Sequence, residues 1–194
     1  MSSDLSQYSD QDLAARARAK HEDAYRELLS RYKAPVYRLI VKHVGDADEA
    51  MDLTQEAFVA GFSALDRYDG TRPFRIWISR IALNKCRDWG RRRKVRAFFS
   101  RALPLEIAHQ VASETPSPDI EVGDRLELAR VREAVAALPV KLREVLLLRG
   151  LDEVSQSEAA AMLDVSEKTI ETRLYRARVR LRALLGGASE GAGL

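Results

Sequence analysis

The first stretch of the sequence that suggests chemistry is an acidic one, GDADEAMDLTQEAF at positions 45–58. It holds five carboxylates and no Lys or Arg, although the chain has 32 basic and 29 acidic residues and a pI near 9.1. Carboxylates near a helix start favour the helix dipole, which accounts for Asp46 to Glu49. Asp52 and Glu56 lie further in, and Leu53 is expected to point outward beside them. Such a stripe repels DNA and suits a basic protein partner.

Two other stretches concentrate positive charge. Positions 85–96 hold seven basic residues and one acid, and positions 167–182 hold six basic residues and two acids. Basic side chains neutralise phosphates, so both stretches are candidates for nucleic-acid contact. In the predicted helix that carries the first stretch, aromatic residues (Phe74, Trp77 and Trp89) are interleaved with basic ones, a pattern that suits single strands because unpaired bases stack on rings. Two simpler interpretations stay open: Trp77 as a core residue, and Arg91–Lys94 as a solvated helix end.

The residues needed for catalysis, metal binding or membrane insertion are not assembled. Cys86 is the single cysteine, which excludes an internal disulfide. The histidines (His21, His43 and His109) are scattered without metal-ligand spacing. The N-terminal sequence MSSDLSQYSDQDL does not resemble a signal peptide, and apolar runs are too short to span a membrane. We therefore expect a cytoplasmic protein that is not an enzyme, without a cofactor or metal and without membrane insertion.

The elements that position these residues are expected to be helices, because apolar residues recur at three- and four-residue spacing. One helix begins after Ser9, and Pro35 is expected to kink the second. The remaining helices are predicted at about 21–44, 46–66, 74–95, 124–137, 140–149, 156–163 and 167–185. The fold class is therefore all-α: two small helical domains, a helical bundle at 1–96 and a helix-turn-helix domain at 124–185, with a flexible linker at 97–123 and a disordered tail at 186–194.

The helical spacing also assigns faces within the first domain. In the third predicted helix, Met51 and Phe58 belong to the face that packs on the core. In the fourth, Phe74 and Trp77 belong to the packing stripe, whereas Leu83 falls outside it. Apolar residues off the core face, next to arginines, suggest a second contact surface.

The second domain has the pattern of a DNA reader. A short helix carries Ala159 and Ala160, whose small side chains permit close helix crossing, and Asp164 falls where a turn residue is needed. Ser166 is a good N-cap for the following helix, in which Ile170 begins a buried stripe. In helix-turn-helix proteins, residues near the start of the second helix reach base edges in the major groove. This domain is predicted to bind DNA.

Three motifs in order resemble a known family. DEAMDLTQEAF is similar to region 2.2 of bacterial RNA polymerase sigma factors of the extracytoplasmic-function group (sigma-70 family group 4). RYDGTRPFRIWISRIALNKCRDWGRRRK resembles regions 2.3 and 2.4. ALPVKLREVLLLRGLDEVSQSEAAAMLDVSEKTIETRLYRAR resembles region 4. In this segment Asp164 replaces the usual turn glycine.

The resemblance implies a function and its partners. Such a chain binds core RNA polymerase (the β′ clamp helices and the β subunit) and promoter DNA, directs promoter recognition, melting and transcription initiation, and is commonly held inactive by an anti-sigma factor. The first domain helps melt the −10 element, an extruded base being captured near positions 68–74, and the second reads the −35 element.

The resemblance also assigns residues to three surfaces. Polymerase binding falls on Asp48, Asp52, Leu53, Gln55 and Glu56. Contact with the −10 element falls on Arg67, Tyr68, Thr71, Arg72, Phe74, Arg75, Arg80, Asn84, Arg87, Arg91 and Arg92. Contact with the −35 element falls on Ser166, Lys168, Thr169, Glu171, Thr172, Arg173 and Arg176. Glu171 sits where the family often has a basic residue; it either accepts from cytosine N4 or faces away from DNA.

Two other functions remain open at this point. The segment DVSEKTIETRL also resembles LuxR-type transcriptional activators, but the α/β receiver or ligand-binding domain that usually accompanies it is not visible. A helical RNA-binding or adaptor protein would use the basic helix, but it would leave the region 2.2-like motif unexplained.

Overall fold

The computed structural model describes residues 5–102, 122–152 and 154–186. Over these residues the chain forms eight α-helices, one 3-10 turn and no strand, which confirms the predicted all-α fold. The chain divides into two compact units, residues 1–106 and 107–194. Across the part of the chain that the structure describes, no helix is both long and apolar enough to cross a bilayer.

The first unit contains α1 (Asp10–Arg18), α2 (Glu22–Val44), α3 (Ala47–Ser63), a 3-10 turn (Leu65–Arg67) and α4 (Phe74–Ala102). Side-chain caps start two of the helices: Ser9 Oγ accepts from the amide of Asp12, and Asp46 Oδ1 accepts from the amides of Asp48 and Glu49. Between α2 and α3, Gly45 adopts φ +76°, a left-handed conformation that glycine tolerates without a steric cost. These local signals set the helix ends that the sequence predicts.

The core of the first unit lies between α2, α3 and α4. Its fully buried large side chains include Leu28, Ile40, Leu53, Phe74 and Ile78. At Gly61 the helices come so close that an added Cβ would meet the Ile78 Cδ1 atom at 2.8 Å. Helices α3 and α4 are therefore closely packed at this point, and a larger side chain at Gly61 would force them apart.

Arg31 ties the segment before α1 to α2. Its guanidinium donates to the carbonyls of Leu5, Ser6 and Tyr8 at 2.9–3.0 Å and pairs with Asp10 at 3.2 Å. A guanidinium has five N–H donors in a fixed plane, which suits this convergence of carbonyl and carboxylate oxygens. The N-terminal segment is therefore part of the folded unit.

The second unit contains α5 (Val122–Ala136), α6 (Val140–Gly150), α7 (Gln156–Leu163) and α8 (Glu167–Gly186). A reciprocal capping box starts α7: Ser155 Oγ accepts from the Glu158 amide, and the Glu158 carboxylate accepts from the Ser155 amide. Asp164 takes the left-handed conformation predicted for the turn, with φ 58°. Ser166 Oγ accepts from the Thr169 amide at 3.2 Å and caps α8 as predicted.

The structure differs from the sequence prediction in several places, three of which concern the length of α4 and the faces of α3 and α4. Helix α4 continues to Ala102, into the range assigned to the linker. Leu83 is fully buried, not off the core stripe, and Met51 is exposed, not buried. The prediction for Leu83 was wrong because α4 buries residues over a wide arc of its surface. This arc is wider than the single apolar stripe that the sequence spacing predicts. At the other end of the predicted linker, α5 begins at Val122, two residues earlier than predicted. Residues 103–121 of the linker and 187–194 of the tail lie outside the described residues.

Candidate functional site

The outer face of α3 presents an acidic surface with apolar members. Asp48, Asp52, Gln55 and Val59 follow one another at four-, three- and four-residue spacing, Met51 lies three residues after Asp48 and four before Gln55, and all five are exposed. Met51 is 42% exposed and Val59 is 67% exposed. Glu56 lies beside this row and is also exposed. We call these six residues the α3 face; four of them belong to the predicted polymerase-binding set.

Leu53, the fifth residue of that predicted set, does not lie on the α3 face. Its side chain is only 1% exposed and belongs to the core with Ala50 and Ala57, its neighbours three residues before and four after. The prediction that Leu53 points outward is therefore wrong. The reason is packing: α3 buries residues over a wide arc, and Leu53 falls at its edge. Met51 and Val59 provide the exposed apolar surface that Leu53 was expected to provide.

Asp46 and Glu56 have different roles at the two ends of the acidic stretch. The carboxylate of Asp46 is occupied by the capping bonds to the amides of Asp48 and Glu49. The carboxylate of Glu56 pairs with the Lys85 ammonium of α4, Oε2 to Nζ, at 3.2 Å. Both partners are part-exposed, so the pair contributes little stability, on the order of 1 kcal/mol or less. It does connect the acidic helix to the basic one.

A basic face runs along α4 opposite its buried side. Arg80, Asn84, Arg87 and Arg91 occur at positions i, i+4, i+7 and i+11, so they share one side of the helix. Arg87 donates to the Asn84 amide oxygen at 2.7 Å, and Arg91 pairs with Asp88. We call these four residues the α4 basic face. Arg75 and Arg92 are exposed but lie outside this spacing.

The loop before α4 is held in a hydrogen-bonded turn. Asp69 accepts from the Thr71 amide at 3.0 Å and from the Thr71 hydroxyl at 2.8 Å, and these bonds lower the pKa of its carboxyl. The Arg18 guanidinium donates to the Tyr68 carbonyl at 3.0 Å. The turn leaves Arg67, Thr71 and Arg72 exposed. These three residues are presented to solvent as the DNA-contact prediction requires.

Tyr68 and Phe74, also predicted as DNA contacts, are core residues of this structure. Their rings pack edge to face with centroids 5.4 Å apart, and Trp77 lies 5.2 Å from Tyr68 and 5.3 Å from Phe74. The Tyr68 hydroxyl donates to the Arg72 carbonyl at 2.6 Å, and burial raises its pKa. Direct contact of either ring with a strand stays a prediction and requires this cluster to open. Trp77 is the half-buried ring of the three.

Helix α8 presents a second basic surface, built on the cap and turn described above. Lys168, Glu171, Thr172 and Arg176 are exposed near its N-terminal half, as is Ser166 just before it. Thr169 and Arg173 are half-buried at the sides of the helix. Gln156 donates to the Glu167 carbonyl at 3.3 Å and connects the start of α7 to the start of α8. The predicted −35 residues are therefore brought together on one short surface.

The sequence analysis missed one member of this surface. Tyr175 is 70% exposed and follows Lys168 and Thr172 at positions i+7 and i+3, so it lies on the same side of α8. An aromatic residue at helical spacing is usually assigned to a core, which is why the sequence did not single it out. Its position opposite the buried Ile170–Ala177 stripe was the signal that could have identified it.

Glu171 is exposed at the edge of this surface, which leaves both of its predicted roles open. Cys86 is buried, in agreement with a packing role. Over the described residues, no group of three or more His, Cys, Asp or Glu side chains is arranged to hold a metal ion.

Two family models match this chain, one in each unit. Residues 28–96 match the Sigma-70 region 2 model, and residues 128–181 match the Sigma-70 region 4 model. The first match contains the α3 face and the α4 basic face, and the second contains the helix-turn-helix.

Whole-chain relatives agree with these matches. The chain is 40% identical to the RNA polymerase sigma factor CnrH of Cupriavidus metallidurans, over 94% of this chain and 97% of that protein. It is 31% identical to the ECF RNA polymerase sigma factor SigW of Bacillus subtilis, over 84% of this chain and 90% of that protein. A solved structure of CnrH in complex with the cytosolic domain of CnrY superposes with a TM-score of 0.65 at 34% identity, covering 92% of this chain and 97% of the other.

Proposed function

Because this chain belongs to the extracytoplasmic-function group of sigma-70 RNA polymerase sigma factors and directs transcription initiation, we propose how its surfaces divide that task. The α3 face binds core polymerase, the α4 basic face and the loop before it hold the −10 element, and α8 reads the −35 element. The observation that carries this division is the separation of charge. The outer face of α3 is acidic, and the outer faces of α4 and α8 are basic.

The α3 face has the composition of a protein-binding surface. Its carboxylates (Asp48, Asp52 and Glu56) repel DNA, and Gln55 adds a neutral donor and acceptor. Met51 and Val59 place apolar area within the acidic row, and methionine is among the residues enriched at protein interfaces. We assign the β′ clamp helices of polymerase as its partner; Leu53 supports the face from beneath.

The α4 basic face suits a strand that lies along the helix. Its side chains provide guanidinium groups for phosphates and, at Asn84, an amide for a base edge. Arg67, Thr71 and Arg72 extend this surface from the loop. Flipping a base out of a stack costs a few kcal/mol, which a preformed site offsets. We propose that the Asp69–Thr71 turn keeps the loop preformed and that Trp77 is the ring nearest to the flipped base.

The α8 surface suits duplex DNA. The N-terminal part of a recognition helix enters the major groove, where Lys168, Thr172 and Arg176 reach base edges or phosphates. The half-buried pair, Thr169 and Arg173, borders the same surface. Tyr175 joins this set as an apolar contact, suited to a thymine methyl group.

A second protein partner is proposed from the neighbouring structure. CnrH is bound there by the cytosolic domain of CnrY. We propose that an anti-sigma factor binds this chain in a comparable way and covers the α3 face. Since polymerase and promoter DNA are cytoplasmic, so is the proposed site of action. Sigma factors are not enzymes in themselves, and the chemistry of initiation belongs to the polymerase.

The direct test is reconstitution. The purified chain is mixed with core RNA polymerase and genomic DNA fragments, and transcription start sites are mapped with and without the chain. The expected result is a new, defined set of start sites preceded by a shared pair of elements. A chain that neither binds core polymerase nor changes its start sites would contradict the proposal. The CnrH-like fold would then serve a different function.

A further inference from the structure

Helix α4 carries an exposed aromatic tip beyond the region that matches the family. The match to region 2 ends at residue 96, whereas α4 continues to Ala102. Phe98 is 71% exposed and Phe99 is 58% exposed, with ring centroids 5.8 Å apart in an edge-to-face arrangement. Val95, one turn earlier, is exposed as well. Burying two phenylalanine side chains is energetically favourable, and exposed apolar patches often mark interaction sites. The exposed pair is therefore a candidate binding site for another molecule.

The aromatic tip continues the α4 basic face. Arg91, Val95 and Phe98 occur at positions i, i+4 and i+7, so Phe98 lies on the same side of the helix as Arg80, Asn84 and Arg87. At 1.5 Å of rise per residue, the row from Arg80 to Phe98 is about 27 Å long. A strand held along the basic face would reach the rings at the end of the helix.

The charge around the rings indicates what binds them. The segment RRRKVRAFF at positions 91–99 contains five cations and no carboxylate. A second helix or protein surface of ordinary composition would have to match this charge with acids and bury the rings at the same time. Single-stranded nucleic acid provides both partners at once, because phosphates pair with the cations while unpaired bases stack on the rings. Duplex DNA provides the phosphates but keeps its bases stacked inside the helix.

We propose that Phe98 and Phe99 form a stacking site for unpaired bases, so that α4 binds single-stranded nucleic acid along its whole exposed length. This proposal rests on the proposed function, since it extends the strand-binding role of the α4 basic face. It adds a site past residue 96 and assigns the ligand by chemistry: a flexible strand with accessible bases, of any sequence.

The test measures binding of the full chain to fluorescein-labelled oligothymidine of about 16 nucleotides, and to a duplex of the same length, by fluorescence anisotropy at low salt. Phe98→Ala with Phe99→Ala is expected to weaken oligothymidine binding at least about tenfold and to change duplex binding less than about twofold. Phe98→Leu with Phe99→Leu keeps the apolar surface without the rings and is expected to weaken oligothymidine binding to the same extent. Phe98→Trp with Phe99→Trp is expected to restore binding. Leu126→Ala, which removes an exposed apolar side chain from the second unit, is the matched control and is expected to have no effect.

Several outcomes would overturn the stacking site. They are full oligothymidine binding by the leucine variant, an effect of Leu126→Ala equal to that of the alanine pair, equal losses for single strand and duplex, or no oligothymidine binding by the unmodified chain. The first outcome would show that apolar area, and not ring stacking, is what the strand contacts. Helical circular dichroism shows that each variant is folded, which is expected because both rings are exposed.

The variant Arg80→Ala with Arg87→Ala separates this inference from the proposed function. If it weakens oligothymidine binding while the phenylalanine variants do not, strand binding by the α4 basic face is supported and only the proposed stacking site is refuted. If the chain does not change the transcription start sites while the phenylalanine variants still lose single-strand binding, the stacking site is supported and its role in initiation is refuted.

Discussion

Helices α3 and α8 are alike in architecture and opposite in surface chemistry. Each buries one apolar stripe, containing Leu53 and Phe58 in α3 and Ile170 and Ala177 in α8. The exposed face of α3 carries three carboxylates with Met51 and Val59, whereas α8 carries arginines, a lysine and Tyr175. The buried stripes account for folding in both helices. The outer faces distinguish a helix that binds polymerase from one that binds DNA.

This comparison also shows where helical spacing is a weak guide. Leu53 was expected on the outer face beside Asp52, and Met51 was expected on the core face, yet the structure places them the other way round. The following predictions test whether the inner and outer assignments, and the charge of each outer face, have the consequences proposed.

The largest expected effect is on stability. Leu53→Ala removes a fully buried side chain and should lower the free energy of unfolding of the first unit by about 2–5 kcal/mol. Both tryptophans, Trp77 and Trp89, lie in this unit, so urea unfolding followed by tryptophan fluorescence reports on it alone. Met51→Ala, on the exposed side of the same helix, is the control and should change stability by less than about 0.5 kcal/mol. A larger loss for Met51→Ala would reverse the assignment.

The next effect is on polymerase binding. Asp52→Lys with Gln55→Lys takes the formal charge of the α3 face from −3 to 0, places two lysines at its centre, and leaves the Asp46 cap and the Glu56–Lys85 pair intact. Affinity for core polymerase should fall about 10- to 100-fold because like charges then meet at the interface. Surface plasmon resonance with immobilised polymerase measures it. Asp66→Lys, an exposed site off this face, should bind normally; an equal loss there would mean that overall charge, not the α3 face, decides binding.

A smaller effect is expected on DNA binding by α8. Arg176→Ala should reduce the magnitude of the slope of log affinity against log salt concentration by about 1, the value for one lost phosphate contact. Tyr175→Ala should weaken binding and leave this slope unchanged. Binding to a duplex with the mapped −35 element, titrated with salt, measures both. Tyr175→Phe should behave like the unmodified chain, because the contact is apolar. Unchanged affinity of Tyr175→Ala would remove Tyr175 from the DNA surface.

The Glu56–Lys85 pair should contribute less. A double-mutant cycle of Glu56→Gln and Lys85→Met is expected to give a coupling free energy of about 0.2–1 kcal/mol, as for other part-exposed pairs. Urea unfolding of the four proteins measures it. A coupling well above this range would show that the pair is a structural link between the two helices and not a weak surface contact.

The smallest effect concerns the loop. Hydrogen bonds from Thr71 lower the pKa of the Asp69 carboxyl, so the ionised form is favoured in the folded chain. The resulting stabilisation of the folded state is present at pH values above the ordinary pKa of aspartate. It is lost as the pH falls through the lowered pKa of Asp69. Thr71→Val removes the hydroxyl donor and should raise the Asp69 pKa toward its ordinary value. Carboxyl-carbon NMR titration measures this, and an unchanged pKa would show that the backbone bond alone sets it.

Much of the fold could be predicted from the sequence because its signals are local. Ser9 and Ser166 cap the helices that follow them, and Asp164 takes the turn conformation, because each depends on atoms within a few residues. The bounds of α7 agree with the prediction, and those of α6 and α8 differ from it by one residue. Helix α4 was predicted too short because it continues to Ala102 although residues 96–99 are exposed and offer no buried stripe that would indicate a helix.

The sequence by itself determined that this chain is all-helical, that its acidic and basic stretches are separate, and that its motifs are those of a sigma factor. Those properties lie in residue types and short spacings. Only the tertiary structure decided that Leu53 and Tyr68 are core residues and that Met51 and Tyr175 are exposed. The 3.6-residue period of a helix predicts which residues share a side, but not how wide a part of the helix surface is buried. That width depends on the neighbouring helices and on how closely they approach. At α3 and α4 that approach is set by contacts such as Gly61 with Ile78, which bring together residues far apart in the chain.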